Sequence, residues 1–101
     1  GRRLSPSPRP LNLPALARSA GGSRVAVPGT GIEVQALSVR LEVPTAAPAL
    51  LLVHVGQLIV DLPDGQFRVL EVGDSLMLPA GAPVTLQPVA GQAILSWHHP
   101  R

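Results

Sequence analysis

Turn-forming residues cut this chain into short apolar pieces, and that punctuation limits its fold more than any other feature. Pro63-Asp64-Gly65, Gly73-Asp74, Pro79-Ala80-Gly81 and Val89-Ala90-Gly91 follow one another at close spacing. In the first, Pro presets φ, Asp tolerates the next position and Gly takes the left-handed one, which makes a hairpin turn. The segments between are too short for helices that bury a face. Gln57–Leu62, Gln66–Glu71, Ser75–Leu78, Pro83–Gln87 and Gln92–Trp97 read as strands, with Val25–Val27 a further short one closed by Pro28-Gly29. Many short strands with turn signals between them argue an all-β sandwich or barrel.

The longer segments agree. From Ile32 to Val43, apolar residues alternate with Glu33, Gln35, Arg40 and Glu42, and the alternation slips near Leu37-Ser38. Period two predicts one strand, and the slip predicts a bulge or bend within it. Ala49-Leu-Leu-Leu-Val-His-Val55 is apolar on both parities, so it reads as a strand covered on both faces. A single barrel interior covers only one of them. Residues 1–23 read as an N-terminal arm and a short turn packed on the barrel or a partner, and residues 24–101 as the barrel. Within that arm, Leu11–Arg18 predicts one short helical turn with Asn12 as cap and Pro14 early in the turn.

Composition removes several function classes. The 101 residues suit one domain, and the apolar fraction of 46% supplies a core. That core is aliphatic, because Phe67 and Trp97 are the only aromatic residues. There is no cysteine, hence no disulfide and no thiolate chemistry. No apolar run is long enough to span a bilayer, and no secretory leader is recognisable, so a cytoplasmic protein is expected. All basic side chains are Arg; Arg2, Arg3 and Arg9 crowd the start, and from Leu11 the charges nearly cancel. Neither a basic stripe nor stacking aromatics are available for nucleic acid.

The segment Gly73-Asp-Ser-Leu-Met-Leu-Pro-Ala-Gly-Ala-Pro-Val84 has the spacing of the second signature of the cupins, with Gly73, Pro79 and Gly81 in register. Leu51–Val60, with Gly56 as closing glycine, resembles the core of the first signature. Over about Ile32 to Trp97 the chain therefore resembles the small single-domain bacterial cupins. It is also similar to the C-terminal, metal-free barrel of the mannose-6-phosphate isomerases. The resemblance implies a double-stranded β-helix, the jelly-roll barrel. Cupins that hold a metal carry His-x-His, Glu and a further His. Here the matching positions fall near Val43 to Thr45, at Ala49 and at Val84. A divalent cation needs imidazole or carboxylate ligands, so no metal and no other cofactor is expected.

The resemblance further implies a cup lined by Val39, Leu51, Val53, Val84 and Leu86, open to a small apolar ligand. Few polar side chains compete for a role. His54 has the opposite parity to Ala49 and shares the outer face with Leu50 and Leu52; it reads as a packed or interface histidine. His98-His99 read as a solvated tail pair, the alternative being a site shared with His54 across two subunits. Trp97 reads as edge packing or an interface anchor. Arg40 reads as a solvated outer charge, with a contact to an anion in the cup as the alternative. Asp61, Asp64 and Asp74 read as turn residues, and no Ser-His-acid spacing points to a triad.

These observations predict a metal-independent binding or assembly module that forms a homodimer and contacts neither nucleic acid nor membrane. Two alternatives stay open. One is an enzyme related to the sugar isomerases and epimerases that uses His54, Arg40 or His98, although the absence of Tyr removes the usual epimerase acid. The other is a ligand-sensing module of a regulatory system.

Overall fold

The structure is a computed structural model and describes residues 8–100. One helix, α1 (Leu13–Arg18), precedes the strands β1 (Val25–Val27), β2 (Ile32–Leu37), β3 (Leu41–Thr45), β4 (Ala49–Val55), β5 (Leu58–Asp61), β6 (Phe67–Leu70), β7 (Ser75–Leu78), β8 (Gly81–Pro88) and β9 (Ala93–His98). They form a five-stranded sheet, in the order β1-β2-β9-β4-β7, facing a four-stranded one, in the order β3-β8-β5-β6. Every pairing is antiparallel. Among the described residues no helix is long and apolar enough to cross a membrane.

The slip at Leu37-Ser38 is larger than a bulge. The single strand expected from Ile32 to Val43 is two strands in different sheets. β2 ends at Leu37, an exposed bend takes Ser38 to Arg40, and β3 restarts at Leu41 beside β8. Corners where a chain changes sheet interrupt the alternation in the same way as an inserted residue.

The turns that punctuate the sequence close the barrel. In the Pro63–Gly65 hairpin the Gly65 N–H donates to the Leu62 carbonyl at 3.1 Å and the Gln66 N–H to Asp64 Oδ1 at 3.0 Å. Asp74 Oδ2 accepts from the Glu71 N–H at 2.9 Å. Gly56 turns β4 into β5 at φ 79°, where an added Cβ would stand 2.6 Å from the Gln92 carbonyl oxygen. Both the dihedral and the space call for glycine there.

Two apolar cores result. Between the sheets lie Leu51, Val53, Leu58, Val60, Leu78, Leu86, Leu95 and Trp97, all within 1% of full burial. On the outer face of the larger sheet, α1 presses Ala17 against Val34, Ala36 and Ile94, with Leu13 and Leu16 at the rim. Asn12 starts that helix, its Oδ1 accepting from the Ala15 N–H at 3.0 Å. Residues 1–7 of the expected arm lie outside the described residues.

Candidate functional site

Val43, Ala49 and Val84, which the sequence resemblance matches to metal-ligand positions, carry only hydrocarbon side chains. Val43 and Val84 face each other across β3 and β8, and both are buried. Ala49 opens β4 and is buried too. Thr45 is the nearest oxygen donor, and its hydroxyl lies against the carbonyls of Ala82 (2.8 Å) and Gly81 (3.2 Å). Among the described residues no group of three His, Cys, Asp or Glu side chains converges. This donor set does not fit a divalent cation.

The cup is filled. Leu51, Val53, Val84 and Leu86 pack into one core together with Trp97. Trp97 is 1% exposed, and its indole N–H donates to Gln35 Oε1 at 3.1 Å. The Gln35 amide donates in turn to the Gly22 carbonyl at 2.9 Å. The Arg24 guanidinium lies 4.0 Å above the centre of the indole and 3.6 Å from Glu33. Trp97 shares with Ala49 and Thr45 the wall of a small recess of about 180 Å³. An edge or interface position for Trp97 is thus corrected: odd parity along β9 aims it inward with Ala93 and Leu95. Val39 is a second correction. It is 69% exposed on the β2–β3 bend and does not line the cup.

Space reaches Val84 at one end of the barrel. A recess of about 310 Å³ lies beside the Pro63–Gly65 and Pro79–Gly81 turns, walled by Leu62, Leu76, Met77 and Ala82. Its charged groups are Asp64 and Arg68. The Arg68 guanidinium is already turned aside, donating to the Phe67 carbonyl at 2.9 Å and to Gln66 Oε1 at 3.0 Å.

The most organised polar group is on the outer face of the larger sheet. Rows of laterally paired residues run Ile32-His98-Leu50-Met77 and Val34-Ser96-Leu52-Ser75. The ladder between β4 and β9 shifts at His54, between Val53 and Val55. The two rings lean together over Ser96, a fully buried residue. His54 Nε2 is 2.7 Å from Ser96 Oγ, and so is His98 Nε2. The hydroxyl has one proton to donate and two lone pairs to accept with, so the tautomer of each ring sets the direction of its bond. Burial, and secondarily the charge of His98, hold the His54 pKa below its usual value.

The solvated tail reading is corrected for His98 and holds for His99, which is exposed beyond the end of β9. His98 is a strand residue bonded to Ser96, and His99 Nε2 lies 3.1 Å from Glu33 Oε1. The sequence gives Ser96 away only by its parity with His98 and by a polar residue amid an apolar strand. Arg40 stands apart from this cluster, exposed on the bend. His54 and His98 converge on Ser96, and Arg40 does not join them. Ser96 sits mid-strand beneath both rings and is fully buried, so its hydroxyl is closed to an incoming substrate and the Ser-His contact is not a nucleophile's geometry.

No family model matches the chain, and no curated protein matches it. Solved structures do. A protein from Rhizobium leguminosarum of unknown function superposes with a TM-score of 0.70 at 22% identity, covering 94% of this chain and 99% of that one. A protein from Neisseria meningitidis gives 0.72 at 14% identity, covering 90% and 98%. A cupin-2 domain containing protein from Shewanella frigidimarina gives 0.60 at 13% identity, covering 77% and 80%. At these identities the likeness is one of fold, and the fold is the cupin jelly roll.

Proposed function

We propose that this chain is a metal-independent cupin module that acts through assembly, as a homodimer closed across the uncovered part of the larger sheet's outer face. One observation carries the reading. Leu50, Leu52 and Met77 stand there beside His54, Ser75 and His98, with no acidic or arginine side chain among them, and Met77 is 53% exposed. A neutral apolar face has no charge with which to select a charged partner. Laid on itself about a two-fold axis it sets like on like, as an isologous contact requires. The filled cup and the hydrocarbon at Val43, Ala49 and Val84 support the same reading from the other side of the sheet, because they leave the barrel no metal-centred chemistry to perform.

Sedimentation equilibrium of the whole chain at micromolar concentration tests it. The expected result is a dimer for the natural sequence and a folded monomer for Leu52→Asp, which places a carboxylate in the middle of the face. A monomeric natural chain overturns the reading. So does a Leu52→Asp variant that dimerises as well as the parent.

A further inference from the structure

We propose that the groove between the C-terminal end of α1 and the β2–β3 bend binds a small organic carboxylate with an aliphatic body. This site is outside the barrel and independent of the dimer. The groove encloses about 610 Å³, within the usual range for small-molecule sites and about twice the recess at Val84.

Its charge has one sign. Among the described residues Arg18 is the single ionisable side chain on its wall, and no carboxylate lines it there. The guanidinium is held in place: Nε donates to Gln92 Oε1 at 3.1 Å, and the Gln92 amide reaches Ser38 Oγ at 3.4 Å. A guanidinium tied through Nε still has both Nη groups to offer, and that pair matches the two oxygens of a carboxylate. The carbonyl end of α1 would repel an anion, but it is closed. The Ser19 N–H donates to the Ala15 and Leu16 carbonyls and the Ala20 N–H to that of Ala17.

The opposite wall is apolar. Val39 and Leu41, exposed by 69% and 37%, both face this groove. A hydrocarbon chain laid on them would remove from water two of the large side chains that the fold leaves uncovered. The floor is Gly21-Gly22, at φ 62° and 99°. A Cβ at Gly21 would meet nothing within 4 Å, so these glycines leave the groove open. The floor is also anchored, because the Gly22 carbonyl accepts from Gln35, which the buried indole of Trp97 holds in turn. The floor is thus formed before a ligand arrives, which lowers the ordering cost of binding.

Titration of the isotope-labelled chain with hexanoate, followed by amide chemical shifts, tests the proposal. Inorganic phosphate and hexan-1-ol serve as the anion-only and apolar-only arms. Hexanoate is expected to saturate, with shifts centred on Gly21, Gly22 and Val39, and to bind more tightly than either partial ligand. Arg18→Gln is expected to weaken hexanoate about tenfold and to leave hexan-1-ol unchanged. Val39→Ser is expected to weaken hexanoate and hexan-1-ol and to spare phosphate. Absence of saturable shifts overturns the proposal, as do shifts centred on Leu76 and Met77 or an Arg18→Gln variant that binds hexanoate as the parent does.

Discussion

The outer face of the larger sheet has two halves built from the same strands, and they solve the same problem differently. Beneath α1, Val34, Ala36 and Ile94 are buried by Ala17 in a contact wholly within the chain. Beyond the helix, Leu50 and Leu52 remain half-buried, Met77 is exposed, and the one buried polar side chain, Ser96, is capped by two histidines. A six-residue helix is too short to cover the whole face. The covered half contributes to folding; the open half keeps its apolar surface for whatever the chain meets. Apolar alternation alone therefore says which residues need cover, and the length of the covering element says which of them go without it.

Substitutions divide the two halves. Ile94→Ala in the covered half is expected to destabilise the fold by about 3 kcal/mol, since it removes a fully buried side chain and leaves a cavity. Denaturant unfolding reads this directly, and a loss near zero would mean that α1 does not seal that half. Asn12→Ala removes the bond that begins the helix and is expected to cost about 1 kcal/mol. Leu52→Asp in the open half, designed to split the proposed dimer, is expected to change the stability of the folded monomer by less than either, about 0.5 kcal/mol. An effect as large as that of Ile94→Ala would make the open half a core.

The smallest effect is that of pH. The folded-state pKa of His54 lies below its ordinary value of 6.5, through burial first and the neighbouring His98 second. Between the folded and unfolded values the unfolded chain binds more protons than the folded one. The stabilising contribution is then full above the unfolded value and is lost as pH falls through the folded one. Melting temperature is expected to drop from neutral to mildly acidic buffer, and His54→Asn is expected to flatten that slope. An unchanged slope in the variant would place the titration elsewhere.

Much of this arrangement was legible in the sequence. The turns at Pro63–Gly65 and Gly73-Asp74 carry their own chemistry, so strand boundaries around them could be read locally. Parity was enough to set Leu50, Leu52 and His54 on the face away from Ala49. What could not be read depended on distant parts of the chain. A bulge and a change of sheet both break period two, and only the partner strand tells them apart; hence the bend at Ser38 is legible, but the division into two strands and the position of Val39 outside the cup are not. Trp97 has inward parity, yet its burial depends on Ala49, Thr45 and Gln35 leaving room and a hydrogen-bond acceptor for the indole. The contact of His54 with His98 spans 44 residues of chain and passes through Ser96, which has no motif of its own.

The indole under Arg24 has a practical consequence. With no tyrosine and a lone tryptophan, nearly all of the protein's near-ultraviolet emission originates at one point in its interior. A red shift of that light on denaturation would time the parting of the two sheets, and it would stay blind to fraying of the helix on the far side.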